Sequence, residues 1–401
     1  IKYNNKFEKA SWDEVYKIIK SKIENTNKEK ICGFVGDLTN METSFIFKEF
    51  FERTIDTNNY DSRAVNNFID TSVRENYLFN STINGIEDSD LILLIGTNPR
   101  FEATMVNARI RKAYLNKNPK IISLNDVGDL TYPYQSLDGK TQTIKDIAEN
   151  KNDISKLIIN SKKPIIIFGE SFFKIKSAKY LFSSFKEFLS NNNKLTDLWN
   201  PINVLSVDAA TVGSLDLDLI DENNKLLDGL NENKYDIVYL LGQDNLDFKK
   251  KNEFVIYQGS HGDKGAEIAD IILPGAAFTE QSGHYTNLEG KIQKAYKASY
   301  PPGDAKEDWQ IINDLAEVMN NRKLFNDKEE LESSMFNYLK LKKEQKKSDL
   351  PNKIGQSDFE NEDLNVKFKD YYFSNVIARS SKTMVECNNS KIDLKKTGTE
   401  G

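Results

Sequence analysis

Soft metal ligands are scarce in this 401-residue sequence, which holds two cysteines, Cys32 and Cys387, and two histidines, His261 and His284. A structural zinc or an iron–sulfur cluster takes about four such ligands, so a metal cluster within the chain is all but excluded. Two cysteines build no disulfide framework, which fits a reducing compartment. No basic excess exists either: 55 Lys and Arg face 61 Asp and Glu, for a net charge of −6. Without a basic face to hold a phosphate backbone, nucleic acid is not an expected partner. Long apolar runs are missing as well, since 91–95 and 165–168 fall far short of the roughly 20 residues a membrane helix needs. Any membrane link is expected through other subunits. The first residue is Ile1 and no signal or transit pattern is legible there, so localisation is not read from this end. A G-x-G-x-x-G after a strand and a G-x-S-x-G elbow are both absent, which argues against dinucleotide binding by that device and against a Ser-His-Asp hydrolase.

What is present is an alternation of short Ile/Val-rich runs, stopped by Gly or Pro, with longer amphipathic stretches. The chain is long enough for two or three domains. "SWDEVYKIIKSKI" places Ser11 as an N-cap ahead of Trp12, Val15, Ile18, Ile19 and Ile23, the spacing of a helix. "KICGFVGD" reads as a strand, followed by a helix carrying Phe45, Phe47, Phe50 and Phe51. "DLILLIGTNPR" repeats the unit, with Val106, Ile110 and Ala113 on one face of the next helix, and "PKIISLND" adds a strand. A second series runs through "KPIIIFGE", "NPINVLSVDAA", "DIVYLLGQ", "EFVIYQGS" and "ADIILPGA". The pattern predicts an α/β fold with doubly wound, mostly parallel sheets. A first α/β region is expected over 1–157 and a second over 158–322, with "DLILLIGTNPR" and "DIVYLLGQDNL" at the same place in each. A charged, linker-like insertion is expected over 323–365, because no periodic core pattern is evident there, and a docking tail over 366–401.

The most chemical stretch is "ADIILPGAAFTEQSGHYTNLEGKIQKA", residues 269–295. An apolar strand ends at Pro274 and Gly275, and Thr279, Glu280, His284, Tyr285, Asn287, Glu289 and Gln293 follow, spaced by Gly283 and Gly290. Ligands in such folds gather at strand C-termini, so one reading is a binding rim. The other is a domain-joining loop whose polar groups satisfy buried backbone. His261, in a glycine-rich turn, reads either as a proton shuttle or as a group that satisfies backbone.

"LILLIGTNPRFEATMVNARIRKAYLNKNPKI" and "YQGSHGDKGAEIADIILPGAAFTEQSGHYTNLEGKIQKAYKASYPPGDAKEDWQII" together resemble the C-terminal module of the large, 75 kDa-type subunits of respiratory complex I. That module is similar to the molybdopterin oxidoreductases of the formate dehydrogenase and DMSO reductase type. The likeness implies that the E-x-x-G, N-x-E-G and Q positions, here Glu280, Gly283, Asn287, Glu289, Gly290 and Gln293, descend from a cofactor-containing region. Two departures stand out. The metal-ligating Cys, selenocysteine or Ser of the enzymes has no cysteine counterpart in "DTSVRENYLFNSTINGIEDSD", where Ser72 and Ser81 are the oxygen alternatives. Where the enzymes carry a D-x-R turn that holds a pterin nucleotide, "ISLNDVGDLTYPY" has no arginine from Asp126 to Tyr134.

The resemblance therefore implies a non-catalytic structural subunit, or part of one, in the matrix-side peripheral arm of complex I at the mitochondrial inner membrane. It implies no catalytic, cofactor-binding or metal-ligating residue in this chain. Iron–sulfur clusters and FMN are expected in partner subunits, and the cluster-bearing N-terminal part of the same subunit is the expected principal partner. The competing expectation is an active molybdenum or tungsten oxidoreductase with an unusual metal ligand.

Overall fold

The computed structural model describes residues 1–221, 223–345 and 358–397. Its frame is two five-stranded sheets in which every pairing is parallel. From edge to edge the first sheet runs Ile271–Pro274, Phe254–Gly259, Ile237–Leu241, Ile31–Val35, Tyr60–Asp61. The second runs Gln135–Ser136, Lys120–Ser123, Leu91–Ile95, Pro164–Gly169, Ile202–Leu205. Ile31–Val35 and Ile237–Leu241 in the first sheet, and Leu91–Ile95 and Pro164–Gly169 in the second, are buried at every position. Helices cover both faces of a parallel sheet, which is why these strands are continuous apolar runs and do not alternate.

The helices form where the caps and spacings predict. Ser11 Oγ accepts from Glu14 N at 3.3 Å to start Trp12–Glu24, which buries Val15, Tyr16, Ile19 and Ile23. Asn40 caps Met41–Phe50 in the same way through Thr43 N. Thr104–Lys117 packs Val106, Ile110 and Ala113 inward, the face expected from sequence.

Two expectations need correction. A division at 157/158 cuts through the second sheet, because Leu91–Ile95 pairs directly with Pro164–Gly169. The first sheet, in turn, joins Ile31–Val35 to Ile237–Leu241. The second layer is thus an insertion within the first. Local alternation of strand and helix is the same in either arrangement and carries no record of which distant strands pair. The two similar segments do hold matching places, since Leu91–Ile95 and Ile237–Leu241 are each the central strand of a sheet, but one opens its layer and the other enters third.

The stretch 323–365, where it is described, is not a solvated linker. Lys328–Gln345 is a helix whose Leu331, Met335 and Leu339 are buried in the first core. One apolar residue per turn among many charges makes a stripe too narrow to read as periodic. Farther on, Leu364 is fully buried in the second core and Phe359 packs against it. Residues 346–357 lie outside the described residues. The tail does dock, and it docks on its own chain: Val376 is buried and Arg379 pairs with Asp263. Residues 398–401 lie outside the description.

Candidate functional site

Ligands in open α/β sheets bind beyond the strand C-termini where the strand order reverses. In the first sheet that point lies between Ile31–Val35 and Ile237–Leu241, and in the second between Leu91–Ile95 and Pro164–Gly169. Glycine ends all four strands, and the paired turns touch. A Cβ on Gly36 would lie 1.8 Å from Gly242 O, and one on Gly169 would lie 2.4 Å from Gly96 O. Only the absence of a side chain allows that approach.

Beside the second reversal point is a cavity of about 580 Å³ between the layers, walled in part by Glu102, Val106, Asp208, Thr286, Gln293 and Lys369. Its wall is mostly apolar, and its charged groups are Glu102, Asp208 and Lys369. Glu102 Oε2 accepts from Thr97 Oγ1 at 2.6 Å and Asn98 N at 2.5 Å. Burial, with the nearby Glu170 carboxylate adding to it, pushes the Glu102 carboxyl up to about 7. Asp208 is pushed up to about 6 by burial, with Asp37 and Glu170 adding and Lys369 opposing. Lys369 Nζ reaches Asp208 at 2.7 and 2.9 Å and Asp37 at 3.2 Å. Burial disfavours the Lys369 charge, but the surrounding carboxylates outweigh it and raise its pKa.

The first reversal point is filled differently, leaving a cavity of only about 50 Å³. A buried polar chain runs beneath it. Tyr239 Oη donates to Gln258 Oε1 at 2.6 Å, and Gln258 Nε2 donates to Asp308 Oδ1 at 2.8 Å. Gln281 Nε2 then donates to Asp308 Oδ2 at 2.7 Å. Burial pushes Asp308 up to about 6 against the pull of both amides.

The polar loop spends its groups on its own chain. Glu280 Oε2 accepts from Ala277 N at 2.9 Å. Asn287 Oδ1 accepts from Glu289 N and Lys291 N at 3.1 and 2.9 Å, closing the hairpin of Gly283–Thr286 and Ile292–Ala295. Gly290, at φ 78°, is the left-handed residue of that turn, and its carbonyl accepts from Arg74 Nη2 at 2.8 Å. Glu289 Oε1 accepts from Ile83 N at 2.7 Å. Gly283 lies against Asn40, where a Cβ would meet the side chain at 2.5 Å. Tyr285 Oη donates to Leu38 O at 2.9 Å, while Thr279 and Gln293 are exposed.

His284 is held by the buried Glu42, which accepts from its Nδ1 at 2.5 Å and its backbone N at 2.7 Å. Glu332 completes a His-Glu-Glu group with one ligand atom of each within 4.8 Å of the others. Lys294 already clasps both oxygens of Glu332, at 2.8 and 3.0 Å, and so supplies the positive charge a metal would bring. His261 is exposed and its ring faces Ser260 Oγ at 3.1 Å. Cys32 is fully buried, and burial drives its thiol pKa up, which makes it inert.

The two oxygen alternatives lie apart from the cavity wall. Ser72 is exposed. Ser81 Oγ donates to Asn200 O at 2.7 Å and accepts from Asn203 Nδ2 at 3.1 Å. The turn at 126–134 borrows a guanidinium, since Arg100 Nη1 donates to Asp129 O at 2.7 Å. A D-x-R does occur elsewhere, at Asp61-Ser62-Arg63, and sequence reasoning passes over it. Arg63 forks onto the buried Asp61, with Nε at 3.0 Å and Nη2 at 2.6 Å, and also reaches Asp221 O and Asn224 Oδ1. The string after a short strand is the signal that could have found it.

A sequence model of the molybdopterin oxidoreductases matches residues 1–318, and one of the C-terminal region of the G-type subunit of NADH-ubiquinone oxidoreductase matches 330–387. The chain belongs to the molybdopterin oxidoreductase family. It is 33% identical to the NADH-ubiquinone oxidoreductase 75 kDa subunit of Reclinomonas americana, over 97% of this chain and 59% of that one. To the G-type subunit of the NADH-quinone oxidoreductase of Rickettsia bellii it is 36% identical, over 99% and 58%. To the mitochondrial NADH-ubiquinone oxidoreductase 78 kDa subunit of Candida albicans it is 35% identical, over 96% and 55%. The chain thus spans between half and two thirds of the length of these relatives. The fold of this family is shared with a chain of the formyltransferase/hydrolase complex of Methylorubrum extorquens, at TM-score 0.57 and 12% identity over 78% of this chain and 97% of that one. Acetylene hydratase from Pelobacter acetylenicus is similar at TM-score 0.53 and 12% identity, over 78% and 59%. Among the described residues no helix is long and apolar enough to cross a membrane.

Proposed function

We propose that this chain is the molybdopterin-oxidoreductase-like part of the large, 75 kDa-type subunit of respiratory complex I, in the matrix-side peripheral arm at the mitochondrial inner membrane. It serves NADH to ubiquinone electron transfer by structure: it buries interface against the cluster-bearing part of the subunit and holds electron carriers in register. FMN and the iron–sulfur clusters belong to its partners, and this chain holds no cofactor.

The observation that carries this reading is the spent state of the inherited loop. Glu280, Asn287, Glu289 and Gly290 correspond to positions of a cofactor-containing region, yet each is bonded to backbone or side chain of its own chain. The cavity wall does not fit an anionic pterin cofactor either. Its charged groups are Glu102, Asp208 and Lys369, with Lys369 already engaged by Asp208 and Asp37, so a pyrophosphate would meet carboxylates there. The thiolate is missing, and the hydroxyl of Ser81 is committed to Asn200 and Asn203.

The test is the metal content of the native assembly isolated from membranes through this chain, together with Glu280→Ala. Abundant iron without molybdenum or tungsten is expected, with the variant lowering assembly while turnover per assembled complex stays unchanged. Molybdenum or tungsten near one atom per chain, or lost turnover in a fully assembled complex, would overturn the reading and favour a working oxidoreductase.

A further inference from the structure

The C-terminal segment crosses the molecule from the second layer to the first, and its path follows the two reversal points. It is anchored in the second layer by Leu364, whose N donates to Gly139 O at 2.8 Å, and by Glu362 O, which accepts from Thr141 N at 3.0 Å. Ser171, two residues past Gly169, then donates to Lys367 O at 3.0 Å and accepts from Lys367 N at 2.8 Å. Phe368 stacks on Phe101, with ring centroids 4.8 Å apart and planes 8° from parallel. Lys369 enters between Asp208 and Asp37, the latter one residue past Gly36. Val376 and Ile377 line the small crevice over Gly242, and Arg379 ties the end to Asp263.

We propose that residues 359–379 are an intramolecular strap that runs along the rims of both ligand crevices of this fold, lining the second and covering the first, so that one stretch of the chain ties the two layers together where a ligand would enter. The chemistry at each end is that of a ligand contact: two hydrogen bonds to the Ser171 hydroxyl and an aromatic stack at the rim of the second crevice, a half-buried ammonium between carboxylates, and an apolar pair at the first. The strap acts as a bolt. Neither layer can shift relative to the other without breaking contacts that all lie on one stretch of chain. This device stands apart from the assembly the chain serves, and its failure would leave that reading untouched.

Hydrogen exchange on the full chain tests it. In the unaltered protein the strap amides at 364–376 and the crevice turns at 96–101 and 242–245 should be protected together. Lys369→Met should speed exchange in all three stretches at least tenfold while the strands keep their protection. Ser171→Ala, which removes only the two bonds to Lys367 and keeps the fold if Lys369→Met does not, should do the same by about threefold. Faster exchange confined to the strap, with both crevice turns unchanged, would overturn the proposal, as would no acceleration anywhere.

Discussion

The two reversal points share a topology and a pair of touching glycines, yet they are filled by opposite means. The first is closed by a neutral amide chain through Tyr239, Gln258 and Gln281 onto one buried carboxyl, Asp308. The second keeps a cavity and lines it with ionisable groups, balanced by Lys369 from a distant part of the chain. A crevice at a reversal point can therefore be stabilised either by packing polar groups against one another or by bringing in a charge. The first route rests on hydrogen-bond geometry around a single carboxyl, and the second on the protonation of two carboxyls beside an ammonium.

The largest effect should come from the feature they share. Gly36→Ala puts a methyl 1.8 Å from Gly242 O, against 2.4 Å from Gly96 O for Gly169→Ala. Urea unfolding should show a loss of roughly 4 kcal/mol or more for the first and roughly 2–3 for the second. Equal, small losses would mean that the turns move apart freely. Next, Asp308→Ala strands the Gln258 and Gln281 amides, and should cost about 3 kcal/mol. Asp208→Asn keeps the shape but leaves the Lys369 ammonium with Asp37 alone, and because the Asp208 charge is itself disfavoured by burial the cost should be smaller, about 1 kcal/mol at pH 7.

How much of this is readable from the sequence follows the range of the interactions. The strands, the Ser11 cap and the inward face of Thr104–Lys117 are local, set by spacing over a few residues, and are legible. So is the polar loop as one of two readings, because Asn287 and Gly290 form a turn that the N-x-E-G string encodes. The nesting of the layers is not readable, since pairing of Ile31–Val35 with Ile237–Leu241 leaves no local mark. Nor is the second crevice, whose Asp37, Asp208 and Lys369 come from three separate regions and look individually like surface charges. Helix Lys328–Gln345 escapes notice because its buried stripe is one residue wide.

The pH profile sharpens the comparison further. Glu102, Asp208 and Asp308 all have folded pKa values above their ordinary ones, at about 7, 6 and 6. The folded state holds these protons after the unfolded chain has released them. Their contribution is full below about pH 4 and is lost as pH rises through 6 to 7. Thermal stability should fall between about pH 4 and 7 and level off above that, and Glu102→Gln with Asp208→Asn should flatten that slope. A slope unchanged in the double variant would place its source elsewhere. Ser81→Ala should be milder, at about 1 kcal/mol in urea unfolding, with the metal content of the assembly unchanged. The smallest effect should be Arg100→Ala, whose pair with Asp129 is exposed and screened by water, so its unfolding midpoint should match that of the unaltered protein.

The nesting of one layer inside the other also sets a timetable for synthesis. Strand Ile31–Val35 pairs with Ile237–Leu241, so about 200 residues leave the ribosome before its principal neighbour exists. At roughly 5–20 residues per second that is a wait on the order of 10–40 s with an apolar strand edge unpaired. The inserted layer, whose strands run from Leu91 to Leu205, can close during that interval. The nascent chain should therefore fold from the inside outward and need a chaperone most while its first core strand waits.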